Sequence, residues 1–180
     1  MSITLPNILT VLRILLTPLF AIFMIRHMFD YALLAFLVAG ISDGLDGLLA
    51  RVFHQKSTLG AYLDPIADKL LLSTAFITLA IQRLIPSWIT VVVITRDILI
   101  LFGIALLFMN DRKFEIKPSL LSKVTTVFQL STVFLVLVTL HLREIDPFMI
   151  YMYWITAGIT ILSGLQYMYK GLNILDEGYR

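Results

Sequence analysis

The sequence predicts an all-α integral membrane protein with six transmembrane helices and both termini in the cytoplasm. Three observations lead there. Of 180 residues, 59% are hydrophobic and only 14% are charged, far from the balance of a soluble domain. Apolar runs of bilayer length recur along the whole chain. The Lys and Arg residues between the runs fall mostly on one side.

The spans are expected at 8–26, 31–50, 60–81, 86–109, 119–141 and 147–170. Each is about 20 residues long, which at 1.5 Å rise per residue crosses a hydrocarbon core roughly 30 Å thick. Pro86 suits a first helical turn, Pro118-Ser119 precedes the fifth span, and Asp146-Pro147 opens the sixth as a cap followed by proline. Trp88, Tyr151, Tyr153 and Trp154 fall near span ends, where amphipathic rings favour the interface. Even-numbered loops and the C-terminal tail carry seven basic residues (Arg51, Lys56, Arg112, Lys113, Lys117, Lys170, Arg180), against three (Arg26, Arg83, Arg143) in odd-numbered loops. This bias puts the 51–59 loop in the cytoplasm. No basic leader with a small-residue cleavage site opens the chain, so the first span is expected to persist. One domain over 1–180 is expected, without repeats or linkers. The net charge of +2 gives no reason to expect nucleic acid, and the absence of Cys excludes disulfides, thiolate metal sites and Cys nucleophiles.

Against this apolar background stand four carboxylates, Asp43, Asp46, Asp64 and Asp68. One charge at the centre of a membrane helix costs roughly 2.5–3.5 kcal/mol, and four unpaired would cost on the order of 10 kcal/mol. Asp43 and Asp46, three apart, share a helix face. Gly47, Ala50 and Arg51 continue it. Asp64 and Asp68, four apart, share a face of the next span, with Gly60 one turn earlier. A short loop joins the two spans, so the four acids are expected to face one another near the cytoplasmic surface. Oxygen ligands suit Mg²⁺, Mn²⁺ or Ca²⁺, and four carboxylates can hold two such ions, an arrangement used in phosphoryl displacement. Small residues let a bulky ligand reach the helix walls, and Arg51 offers a forked phosphate donor. The competing reading is an ion-pair network with Arg51 and Lys69 that only joins helices. A divalent-metal transporter is the alternative from another functional class, since intramembrane acids also mark ion paths. Clustering at one surface favours an enzyme.

The arrangement Asp43-x2-Asp46-Gly47-x2-Ala50-Arg51-x8-Gly60-x3-Asp64-x3-Asp68 resembles the signature of the CDP-alcohol phosphotransferases at every fixed position. Leu5-Pro6-Asn7-Ile8-Leu9-Thr10-x2-Arg13 with Pro18, and Leu63-Asp64-Pro65-Ile66-Ala67-Asp68-Lys69, look like the branch containing phosphatidylglycerophosphate synthases and CMP-forming cardiolipin synthases. The resemblance implies a six-helix homodimer with a two-metal site (Mg²⁺ or Mn²⁺) formed by Asp43, Asp46, Asp64 and Asp68. It implies that Asp68 is the general base and that Gly47, Ala50, Arg51 and Gly60 line the CDP site. Thr58, just before Gly60, is a further candidate nucleotide contact. It also implies transfer of a phosphatidyl group from CDP-diacylglycerol with release of CMP, in anionic phospholipid synthesis at the bacterial inner membrane.

Arg96 and Lys123 lie in apolar sequence and are candidates for binding an anionic acceptor. Pairing of Arg96 with Asp97, or snorkelling to the surface, is the bland alternative. Glycerol 3-phosphate and phosphatidylglycerol both qualify as acceptor. Arg96-Asp97 and Ser122-Lys123-Val124-Thr125-Thr126, with Gln129, look more like cardiolipin synthases, in which phosphatidylglycerol accepts. Phosphatidylglycerophosphate synthesis is the commoner task of short bacterial chains of this type, so glycerol 3-phosphate is narrowly favoured. Arg13 is expected either to pair with the acids or to contact donor phosphates. His54 is expected to be solvated, and His27 and His141 lie at the opposite surface.

Overall fold

A computed structural model describes residues 5–52, 58–109, 119–142 and 148–176, with side chains over 8–44, 67–102, 119–140, 148–169 and at 171. The described residues form six α-helices and no strand: α1 Leu5–Ile25, α2 Phe29–Val52, α3 Thr58–Ile81, α4 Ser87–Met109, α5 Leu120–Leu142 and α6 Met149–Asp176. Each expected span corresponds to one helix. The largest departure is α6, which continues six residues past the expected end at 170. Two helices are long and apolar enough, over described residues, to cross a membrane. They are α1, through Ile8–Ile25 with mean hydropathy 2.4, and α5, through Leu120–Leu140 with 1.7.

Helix ends follow local chemistry. Met28 N–H donates to Phe23 C=O at 2.9 Å and His27 N–H to Met24 C=O at 3.0 Å, with His27 at φ 56°. Leu84 N–H to Leu79 C=O (2.9 Å) and Arg83 N–H to Ala80 C=O (3.0 Å), with Arg83 at φ 58°, repeat the pattern after α3. Both are Schellman closures. They place a bulky residue in the left-handed region, where glycine is usual and where other L-residues meet a cost of about 1 kcal/mol. At the start of α5, Ser119 Oγ accepts from Ser122 N–H at 3.1 Å, which satisfies one of the free donors of the first turn. The Asp146-Pro147 opening of the sixth span lies outside the described residues.

The chain divides into two compact units, and α5 contributes to both. The first contains residues 1–85 and 133–146. In it α1 packs against α2 and α3. Ala32, Ala35 and Ala39 present a buried small-residue stripe on α2, which lets helix backbones approach closely. Phe20 and Phe36 pack at 6.0 Å between ring centroids. The end of α3 is tied to the end of α1 by Gln82 Nε2 donating to Met24 C=O at 3.0 Å.

The second unit contains residues 86–132 and 147–180. In it α4 packs on α6, and Trp88 and Trp154 stack at 4.8 Å. Hydroxyls and amides join α5 to α6. Thr132 and Thr156 share a 2.8 Å bond, and Gln129 Nε2 donates to Thr160 Oγ1 at 3.3 Å.

Polarity is distributed opposite to that of a soluble protein. Arg13, Thr10, Arg96, Asp97, Gln129 and Thr160 are buried, while Ile8, Leu15, Leu34, Val91, Phe102 and Leu162 are exposed. An apolar exterior around a polar interior is the pattern a lipid solvent selects.

Candidate functional site

The site begins with a stripe on α1. Thr10, Arg13, Thr17, Phe20 and Met24 recur at helical spacing and are all buried. Thr17 Oγ1 donates to Arg13 C=O at 2.9 Å, so its hydroxyl is satisfied within the helix. Arg13 is the one charged residue of the stripe. Its side chain is 1% exposed.

That guanidinium joins three helices. Nη2 pairs with Asp43 Oδ1 on α2 at 2.9 Å. Nη1 pairs with, and donates to, Asp68 Oδ1 on α3. The first and last acids of the spaced motif thus meet on one planar cation. Their own side chains are 47% and 41% exposed. The guanidinium is enclosed, whereas each carboxylate side chain is partly exposed. Of the two expectations for Arg13, pairing with the acids is the one observed.

Other candidates divide according to what is described. The side chains of Asp46, Gly47, Ala50, Arg51, Thr58, Gly60 and Asp64 lie outside the described residues, although their backbone belongs to α2 and α3. His54 and the rest of 53–57 lie outside them altogether. Among the described residues no group of three or more His, Cys, Asp or Glu converges. Asp43 and Asp68 nevertheless fit a hard divalent cation by donor chemistry, since both are carboxylates on partly exposed side chains.

Arg96 and Lys123 belong to the second unit and differ from each other. Arg96 is 4% exposed. Nη1 donates to Asp97 Oδ1 at 2.7 Å, and Nη2 to Ser122 Oγ at 2.8 Å and Ser163 Oγ at 3.1 Å. The guanidinium carbon stands 6.0 Å from the centre of the Tyr167 ring. A Cβ at Gly164 would stand 3.5 Å from Arg96 Cγ, an ordinary van der Waals contact, so the arginine stem lies beside α6. Lys123 is exposed on α5. Ser163, Thr156 and Thr160 were not evident as partners in the sequence. Their signal is the polar spacing 156, 160, 163 on α6, matching 122, 125, 129, 132 on α5.

Comparisons with known proteins agree with the spaced motif. The CDP-alcohol phosphatidyltransferase family profile matches residues 3–162. The CMP-forming cardiolipin synthases of Rattus norvegicus and Homo sapiens are each 33% identical over 93% of this chain, covering 61% and 62% of their own lengths. The chain thus spans about three-fifths of those two relatives. The CDP-diacylglycerol–glycerol-3-phosphate 3-phosphatidyltransferase of Bacillus subtilis is 31% identical over 95% of this chain and 96% of its own length. The matched region runs through Arg13, Asp43 and Asp68, the residues that meet in space, and the chain belongs to the CDP-alcohol phosphatidyltransferase family.

Proposed function

We propose that the protein transfers the phosphatidyl group of CDP-diacylglycerol to a glycerol-based acceptor and releases CMP. The observation that carries this reading is the convergence of Asp43 and Asp68, from different helices, on the guanidinium of Arg13. Membrane helices associate adequately through small residues. Half-exposed carboxylates held over a buried cation serve a ligand better than they serve packing. Family membership favours a transferase over the metal-transporter alternative.

Asp43, Asp46, Asp64 and Asp68 would hold two divalent cations, Mg²⁺ or Mn²⁺. Bound there, such ions neutralise charge developing on the pyrophosphate oxygens. The remaining work belongs to the chain. Gly47, Ala50 and Gly60 leave room for the cytidine diphosphate moiety along α2 and α3, and Arg51 and Thr58 contact its polar groups. Asp68 accepts the proton of the acceptor hydroxyl. The hydroxyl oxygen bonds to the phosphatidyl phosphorus as the bond from that phosphorus to CMP breaks, and CMP leaves with the electron pair. Arg96 and Lys123 supply positive charge for an anionic acceptor.

Glycerol 3-phosphate is the favoured acceptor, giving phosphatidylglycerophosphate. The end-to-end correspondence with the Bacillus subtilis protein supports it. Phosphatidylglycerol, giving cardiolipin, is the second reading, supported by the Arg96-Asp97 pair and the identities to the cardiolipin synthases. Supplying labelled CDP-diacylglycerol with each acceptor in turn, and separating the lipid product by thin-layer chromatography, distinguishes them. Absence of CMP release with both would overturn the assignment.

The same reading makes residues 1–180 one catalytic membrane domain of six spans, which works as a homodimer. Its termini and active site face the cytoplasm at a bacterial inner membrane. The contribution of α5 to both compact units supports one domain, and the apolar exterior supports the membrane.

A further inference from the structure

We propose that Arg13 is a built-in counterion, which keeps Asp43 and Asp68 assembled when no divalent cation is bound. The proposal rests on the reading that these carboxylates hold such cations. Two like charges brought together from different helices repel, and a partner of opposite sign held between them offsets that repulsion. Arg13 is that partner. It is buried on α1 and takes one oxygen, Oδ1, of each carboxylate through separate terminal nitrogens. A planar fork can bridge two carboxylates, whereas an ammonium is a point charge without that geometry. Because the two acids remain partly exposed while Arg13 is enclosed, a cation can approach the acids without displacing the guanidinium.

The arrangement has opposing effects. The fixed positive charge weakens attraction of a cation to the site. It also removes the need for a cation to hold α2 and α3 against α1. Without Arg13, bound cation becomes the main source of neutralisation, so stability becomes linked to cation concentration more steeply than in the native chain.

Thermal unfolding of the purified full chain in detergent tests this, with Arg13→Gln and Arg13→Lys each scanned in chelator and in saturating magnesium chloride. The expected result is an Arg13→Gln midpoint at least about 5 °C below the native chain in chelator. Magnesium should recover at least half of that deficit. Arg13→Lys should show a smaller deficit that is also recovered by magnesium, and it carries the test alone if Arg13→Gln does not fold. A deficit equal with and without magnesium would assign Arg13 to packing and overturn the proposal, as would no deficit in chelator. If magnesium leaves the native chain's midpoint unchanged, the cation site itself is wrong and the counterion role falls with it. That outcome is separate from the first two, in which the native chain still responds.

Discussion

Arg96 on α4 and Ser163 on α6, 67 positions apart in the chain, are joined by a 3.1 Å hydrogen bond from Nη2 to Oγ. The same nitrogen reaches Ser122 on α5 at 2.8 Å, while Nη1 holds Asp97 at 2.7 Å. One buried guanidinium therefore ties three helices of the second unit and neutralises a buried acid. Removing it would break the Arg96–Asp97 ion pair, and breaking a buried ion pair typically costs about 3–5 kcal/mol. Arg96→Ala is expected to lower the thermal midpoint by roughly 6–20 °C for a chain of this size. Arg96→Lys, which keeps the charge but not the fork, should fall between Arg96→Ala and the native chain. Differential scanning fluorimetry in detergent measures both, and an Arg96→Ala midpoint equal to the native one would show that the cluster contributes nothing to folding.

The hydroxyl pair between Thr132 and Thr156, at 2.8 Å and fully enclosed, gives a cleaner probe of helix association. Thr132 Oγ1 also donates to Phe128 C=O at 2.8 Å. A double-mutant cycle with Thr132→Val and Thr156→Val should return a coupling energy of about 0.6 kcal/mol, the average for interhelical hydrogen bonds in membranes. Coupling near zero would mean that each hydroxyl is already satisfied within its own helix.

These two networks show what the sequence discloses and what it hides. Six apolar runs with proline and serine at their edges locate six helices, because span length and capping are local properties. The pairing of Asp43 with Asp68 follows partly from spacing, since i, i+3 and i, i+4 acids must share helix faces. The sequence leaves the role of Arg13 divided between acids and phosphate, because an intramembrane cation has several possible partners, and its pairing with Asp43 and Asp68 is a tertiary contact that spacing does not specify. The Schellman turns at His27 and Arg83 were not legible at all. Both lack the glycine that marks such a turn in sequence, and packing of Phe20, Met24 and Leu79 into the core overrides the local preference. The Thr and Gln seam of the second unit hides because each hydroxyl taken singly reads as a helix residue bonding its own backbone.

Asp68 should be separable from the other acids by its effect on turnover. Asp68→Asn preserves volume and the ability to accept a hydrogen bond from Arg13, but it cannot take a proton from the acceptor hydroxyl. CMP release is expected to fall by at least about 100-fold, within the range for loss of a general base. Folding and binding of CDP-diacylglycerol should persist. Single-turnover assays of CMP release, with a parallel lipid-binding assay, measure the two quantities. Normal turnover in Asp68→Asn would assign the proton to another group.

Chelation gives a test that spares every residue. Carboxylate oxygens favour hard cations, so EDTA should stop CMP release, and Mg²⁺ or Mn²⁺ added in excess should restore it. Undiminished release after exhaustive chelation would remove divalent cations from the reaction.

Lys123 is exposed on α5, whereas the terminal nitrogens of Arg96 are enclosed and hydrogen-bonded, so the proposed role of Lys123 in acceptor binding can be tested without disturbing a buried cluster. An exposed ammonium can be neutralised without stranding a buried partner. Lys123→Gln is therefore expected to fold with a midpoint close to native. If it binds the acceptor phosphate, loss of one charge-assisted contact, worth about 1.5–3 kcal/mol, should raise the KM for that acceptor roughly 10- to 100-fold. The KM for CDP-diacylglycerol should stay unchanged. Steady-state kinetics with glycerol 3-phosphate and with phosphatidylglycerol, each varied against fixed donor, reads this directly. Equal kinetics in Lys123→Gln and the native chain for both acceptors would leave Lys123 as a surface cation and shift acceptor recognition to other groups.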